Sequence, residues 1–217
     1  LIATVAFFYT TPWDNYLVAQ SVWWYGPDRV LATIGHVPIE EYMFFVLQPI
    51  LSGLVLYHYL LRVSQSPYES SEWPAWIGFA GFASLSIWGG LTLLSGFLPG
   101  TYMALILFWA APLLGGMWLY DGKTLWAYRH VLGPAVLLST LYLWMADAIA
   151  IRNQIWTISD AYTFGIEPFG LPIEEATFFL MTNLLVVQGL LLLFYGSHQA
   201  VPETVTEMKG QSAASHS

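Results

Sequence analysis

Five stretches of this chain are each long and apolar enough to cross a lipid bilayer, which restricts the fold before any motif is read. A hydrocarbon core of about 30 Å takes about 20 helical residues at about 1.5 Å each. Tyr42–Leu61, Pro74–Leu98, Thr101–Tyr120, His130–Ala150 and Ala176–Tyr195 meet that length. Only 9% of the 217 residues are charged and 57% are hydrophobic, a composition that a water-soluble fold of this size cannot cover with polar surface. The same abundance of apolar material excludes disorder over most of the chain. The expected fold is an all-α polytopic bundle, multi-pass in the cell membrane, with five complete spans and an N-terminal partial one. That partial piece, Leu1–Tyr9, is too short to span and reads as the end of a helix whose first half lies outside this sequence. It lacks the basic region and small-residue cleavage site of a signal peptide.

Turn chemistry separates the spans. Ser64–Glu72 is rich in Ser, Pro and Glu, Gly96–Gly100 is a Gly-Pro turn, and Asp121–Arg129 is polar around Gly122. Such short connections make the joined helices antiparallel neighbours. Residues 198–217 are polar and aperiodic and read as a disordered tail, which leaves 1–197 as the membrane domain. Arg62, Lys123, Arg129 and Lys209 fall on one side of the membrane and Arg29 and Arg152 on the other. The excess of basic residues places the 62–73 loop in the cytoplasm. The long segments 10–41 and 151–173 then lie together at the outer face.

Several chemistries lack their residues. There is no Cys, hence no disulfide, thiolate nucleophile or Cys-ligated metal. No Gly-x-Gly-x-x-Gly fingerprint, P-loop, Gly-x-Ser-x-Gly elbow or His cluster is present. The formal charge of −8 argues against a nucleic-acid partner. Carboxyl groups among aromatic rings remain, with membrane lipid as the surroundings.

Those carboxyls occur in a duplicated pattern. Val37-Pro-Ile-Glu-Glu-Tyr-Met-Phe-Phe45 matches Leu171-Pro-Ile-Glu-Glu-Ala-Thr-Phe-Phe179 at six of nine positions. Upstream, Asp14 and Trp23 match Asp147 and Trp156 at nearly the same offset. Each unit reads as an apolar helix, an Asp near its end, a Trp-containing loop, Pro-Ile-Glu-Glu, Phe-Phe and a second apolar helix. The two units, about 1–61 and 130–197, run in the same direction and are expected to be parallel repeats. Substrate sites of membrane proteins often lie at such repeat interfaces.

Pro fixes φ and lacks an N–H, so Pro38 and Pro172 suit the first turn of a helix. Glu40, Glu41, Glu174 and Glu175 then occupy that turn, where the helix dipole favours acids. They serve there either as plain caps or as chemical groups. Adjacent helical residues point about 100° apart, so both members of a pair cannot face water if one flank is packed. Phe44 and Phe45 share the faces of Glu40 and Glu41, as Phe178 and Phe179 do for Glu174 and Glu175. At least one carboxyl per unit is therefore expected in an aromatic, water-poor setting, where desolvation favours the neutral, proton-donating acid. Asp14 and Asp147, with Asn15 and Asn153 nearby, read either as interfacial turns or as partners that tune the acids. Trp13, Trp23, Trp24, Trp144 and Trp156 suit an interfacial belt, or rings over which a carbocation is stabilised. His36 and His58 are isolated and read as packing residues.

Pro12-Trp-Asp-Asn15, Trp23 and the two Pro-Ile-Glu-Glu-…-Phe-Phe units together resemble the flavin-independent membrane lycopene cyclases, in the fused single-chain form. The resemblance covers about residues 1–197. It implies ring closure of lycopene to γ-carotene and then β-carotene, without net redox, cofactor or metal. An acid protonates the terminal double bond, the neighbouring alkene attacks the tertiary cation, and a base removes a ring proton. Glu40 and Glu174 are the first candidates for acid and base, with Glu41 and Glu175 next. Phe44, Phe45, Phe178, Phe179, Trp23 and Trp156 are the candidate substrate-binding residues. With both units in one chain, no obligate partner subunit is expected. The rival readings are a prenyl-transferring enzyme, whose Asp-rich diphosphate site is absent, and a carotenoid-binding or assembly protein in which the Glu pairs only cap helices.

The basic-residue bias makes a topology prediction. A reporter fused after Ser197 should read as cytoplasmic, and deletion of 200–217 should leave activity intact. A reporter signal from the opposite side would invert the assignment.

Overall fold

Proline and acid together decide where the helices begin. In the computed structural model, which describes residues 1–62 and 73–196, α1 covers Ile2–Ala19, α2 Ile39–Leu60, α3 Trp73–Ser95, α4 Thr101–Ala127, α5 Arg129–Arg152 and α6 Ile173–Tyr195. Helices α2 and α6 open three residues before their apolar runs, with Pro38 and Pro172 at the N-cap in extended conformation (ψ 150° and 140°). Their missing N–H groups cost no hydrogen bond at that position. Both Glu pairs thus occupy a first helical turn, as the sequence predicts. Helices α2 to α6 are long and apolar enough to cross a membrane, in agreement with the five expected spans.

Helices consecutive in the chain run antiparallel, whereas α4 and α6, which start at the same end, pack in parallel. Helices α3 and α4 form a hairpin over a tight turn at Leu98–Gly100. Gly89 allows that closeness, since a Cβ there would lie 2.8 Å from the Ala104 carbonyl oxygen. Helix α4 packs on α6, α6 on α5, α5 on α2, and α2 on α1. Chain direction puts the loops before α2, α4 and α6 at one end of the bundle. There β1 (Trp23–Tyr25) pairs antiparallel with β4 (Trp156–Ile158), placing Trp23 opposite Ile158 and Tyr25 opposite Trp156. The two long segments expected at one face are therefore hydrogen-bonded to each other. A second ribbon joins β2 (Thr33–Ile34) to β3 (Val37–Pro38) around Gly35, whose φ of +67° suits only glycine without strain. A Cβ at Gly35 would also strike Asn15 Oδ1, which accepts the His36 N–H at 2.9 Å.

Two expectations are corrected. The piece read as ending at Tyr9 continues to Ala19, an 18-residue helix. Its polar residues find partners without leaving the helix. Thr11 Oγ1 donates to the Phe7 carbonyl at 2.6 Å, and Asn15 Nδ2 donates to the Thr11 carbonyl and to Tyr42 Oη on α2. The polar stretch 121–129 is likewise helical to Ala127, broken only by a non-helical Asp121. That carboxylate restarts the helix as an internal cap, accepting from Thr124 N and Oγ1 at 3.1 and 2.8 Å. The expected Ser64–Glu72 turn and the 198–217 tail lie outside the described residues.

A buried polar cluster ties α2, α5 and α6 in the apolar interior. Asn183 Oδ1 accepts from Gln48 Nε2 at 2.7 Å and Ser52 Oγ at 2.6 Å, and Asn183 Nδ2 donates to Thr140 Oγ1 at 3.1 Å. All four residues are buried. Polar contacts between membrane helices contribute about 0.6–2 kcal/mol. Replacement of Asn183 by Leu should therefore lower the thermal midpoint of the detergent-solubilised protein, because Gln48, Ser52 and Thr140 lose a shared partner. An unchanged midpoint would show that the cluster contributes nothing to helix association.

Candidate active site

Helical geometry separates the two members of each Glu pair. Glu40 Oε1 accepts the Leu31 N–H and Glu174 Oε1 the Phe164 N–H, both at 2.8 Å. These two carboxyls brace the loops that precede their own helices. Glu41 and Glu175, turned about 100° away, face inward instead. Both line a cavity of about 540 Å³ enclosed mainly by α1, α2, α5 and α6.

The cavity gathers most of the residues that the sequence singled out. Asp14, Asp147, Phe44, Phe45, Phe178, Phe179, Trp23 and Trp156 all line it with Glu41 and Glu175. Glu40, Glu174, Asn15 and Asn153 do not. Asn15 clamps α1 to the β2–β3 ribbon, and the exposed Asn153 donates to the Ile149 carbonyl at the end of α5. Three polar lining residues, Gln48, Tyr102 and Tyr142, are not marked by the sequence. Gln48 and Tyr142 carry no pattern that marks them, and Tyr102 opens α4 without a counterpart in the duplicated pattern. Trp13 was seen only as one of several belt candidates; its position beside Asp14 was the available signal.

The four inward carboxyls differ in their partners. Trp23 Nε1 donates to Asp14 Oδ1 at 3.1 Å, and Tyr102 Oη donates to Glu175 Oε1 at 2.5 Å. Asp147 is buried with neither oxygen in a well-formed hydrogen bond, although the Trp156 indole is close enough to interact with it. Asp147 is also within electrostatic reach of both Glu41 and Glu175. No Lys, Arg or His stands in the cavity wall. Four negative charges cannot be held together there without cations, so protons occupy part of the set.

The remaining wall is apolar and aromatic. Trp13 stacks against Trp109 and Phe178, with centroids 4.6 and 5.5 Å away, and those two rings lie 6.3 Å from each other, so the three form one aromatic cluster. Phe179 meets Phe178 and Phe44 edge to face at 5.3 and 6.0 Å. Leu47, Ile50 and Leu54 of α2 and Tyr142 of α5 line the cavity yet are exposed on the outer surface of the bundle. The cavity therefore opens sideways between α2 and α5, on the apolar flank of the bundle. From Glu41 to Leu54 it follows α2 for about 20 Å. This shape suits a long apolar molecule whose end meets the acids.

The lycopene cyclase family model matches residues 1–60 and 99–194. The chain belongs to the lycopene cyclase family. A lycopene beta-cyclase of Halobacterium salinarum is 41% identical over 193 residues, covering 88% of this chain and 80% of that protein. A bifunctional lycopene cyclase/phytoene synthase of Gibberella fujikuroi is 39% identical over 197 residues, covering 88% of this chain and 33% of that protein. A protein of the same description from Colletotrichum graminicola is 36% identical over 199 residues, covering 87% of this chain and 34% of that one. The chain thus spans about a third of the fungal relatives' length. No solved structure matches.

In this lycopene cyclase family member the geometry ranks the acids differently from the sequence, which put Glu40 and Glu174 first. Glu41→Gln and Glu175→Gln remove a titrating proton from the cavity and should lower turnover about 10²–10⁴-fold. Gln at 40 or 174 keeps an oxygen that still accepts the loop N–H, so those variants should lose at most about 1 kcal/mol of dipole interaction and keep most activity. Pigment analysis at matched protein levels distinguishes the two sets. Near-normal product from Glu41→Gln and Glu175→Gln would remove both from the chemistry.

Proposed function

We propose that this membrane enzyme closes β-ionone rings at the ends of lycopene by acid–base catalysis, first to γ-carotene and then to β-carotene. The observation that carries the reading is the convergence of carboxyls from both Pro-Ile-Glu-Glu segments on one aromatic cavity open at the apolar flank of the bundle. The lycopene beta-cyclase relative supplies the substrate class.

The reaction runs in three steps. The Glu41 carboxyl gives its proton to the inner CH carbon of the terminal double bond, and the π pair becomes the new C–H bond. A tertiary cation remains on the carbon bearing two methyl groups. The π pair of the neighbouring alkene then forms the ring C–C bond and moves the cation into the ring. Glu175 takes an adjacent ring proton, and the electrons of that C–H bond become the ring double bond. Atoms balance, since one proton enters and one leaves, and nothing is oxidised or reduced. Glu175 is assigned the base because its Oε1 already accepts the Tyr102 hydroxyl. Between turnovers Glu175 releases its proton and Glu41 is reprotonated by exchange with solvent, with Asp147 within electrostatic reach of both.

The surroundings support the same chemistry. Phe44, Phe45, Phe178 and Phe179 present ring faces and edges to the cation and exclude water that would quench it. Lycopene enters from membrane lipid between α2 and α5, so the enzyme works as a multi-pass protein of the cell membrane. We further propose that 1–61 and 130–197 are parallel repeats contributing one Asp and one inward Glu each to a single composite site. That arrangement needs no partner subunit and no nucleic acid or cofactor.

Purified protein in lipid vesicles with lycopene, and without NAD(P)H or flavin, should accumulate first the monocyclic and then the dicyclic product. A strict need for a reduced cofactor would contradict the mechanism. Lycopene that binds but stays unchanged would make the chain a carotenoid-binding protein instead.

A further inference from the structure

Closing the ring leaves a cation that has three ways to lose a proton, and only one gives a β ring. Loss from the ring carbon that carries the polyene gives the conjugated β double bond. Loss from the ring methylene on the other side gives an ε ring, and loss from the methyl group gives an exocyclic double bond. All three hydrogens lie within a few bond lengths of one another. Selection among them is therefore a question of how firmly the base is held.

Glu alone does not hold a carboxylate in one place, since its side chain has three rotatable bonds. In this chain the carboxylate of Glu175 is held by Tyr102. Tyr102 Oη donates to Glu175 Oε1 at 2.5 Å across the α4–α6 contact. Tyr102 is itself fixed, being 2% exposed, with its N–H donated to the Tyr162 carbonyl at 3.1 Å. It opens α4 immediately after the Leu98–Gly100 turn, on a helix outside the duplicated units. It also stands in the cavity wall with Glu175, beside the reacting end of the substrate.

We infer that Tyr102 is the positioning residue that sets ring type, by holding the Glu175 carboxylate over the hydrogen of the polyene-bearing ring carbon. The inference rests on the cyclase reading above and adds selectivity to it. Tyr102→Phe keeps the ring and its packing and removes only the hydroxyl. The carboxylate then pivots, and proton loss spreads over the competing positions. Merely reduced stability lowers the amount of product and leaves its ring type unchanged.

The test is ring-type analysis, by chromatography and NMR, of the products made from lycopene by the full chain in vesicles. The wild-type chain should give β ends alone. Tyr102→Phe should give at least about one ring end in ten as ε or exocyclic, the level at which a tenfold preference is left. Glu175→Asp keeps a carboxylate but draws it back from Tyr102, and should scatter ring type in the same way should Tyr102→Phe fail to insert. Exclusively β ends from both variants, or no rings from variants that insert normally, would overturn the role. Wild-type protein that forms no rings at all would instead overturn the cyclase reading.

Discussion

A carboxyl group withdrawn from water needs a hydrogen-bond donor, and supplying donors to buried acids organises this structure from its loops inward. A hydrogen bond to a charged group is worth about 1.5–3 kcal/mol, more than the 0.3–1 kcal/mol or so of the helix dipole. Four of the acids are placed by donors, two of them loop backbone N–H groups, one a side chain of β1 and one a side chain at the start of α4. Leu31 and Phe164 supply backbone N–H groups to Glu40 and Glu174, Trp23 supplies its indole to Asp14, and Tyr102 supplies its phenol to Glu175. The β1–β4 ribbon fixes Trp23 in turn. Loss of the loop structure at this end of the bundle would therefore unseat the chemistry even with every helix intact.

The division of labour within each Glu pair follows from the same need. Neighbouring helical residues diverge by about 100°, so one member meets the loop and the other the cavity. The loop-facing member satisfies a backbone donor and holds the chain entry in place. The inward member is left among Phe rings, where an unpaired charge is costly and a transferable proton is useful. In the proposed mechanism structural and chemical acids thus occupy adjacent positions, and they cannot exchange roles without reversing the helix face. The lateral opening between α2 and α5 completes the arrangement, because a hydrocarbon substrate then reaches the acids without crossing water.

Much of this was readable from residue order. Apolar length gave the spans, proline before paired acids gave the starts of α2 and α6, and the Glu-to-Phe spacing gave an aromatic setting for a carboxyl. The end of α1 was not readable, because Thr11, Asp14 and Asn15 break the apolar run while bonding inside the bundle. The inward member of each pair was not readable either. Glu40 and Glu41 are equivalent along the chain, and only the position of Leu31, set by the β2–β3 ribbon, separates them. Tyr102 and the Gln48–Ser52–Asn183–Thr140 cluster depend wholly on contacts between distant helices, for which periodicity carries no signal.

The central claim is that a fixed carboxyl in the cavity supplies the proton that starts each ring. Carboxyl protons exchange with solvent between turnovers, so cyclisation in deuterium oxide measures the claim directly. Each ring should gain one deuterium, at the carbon next to the one bearing the paired methyl groups. That deuterium should lie on a single face of the ring, because the acid approaches from one wall. Rings without deuterium, or with deuterium on both faces in equal amounts, would contradict the account.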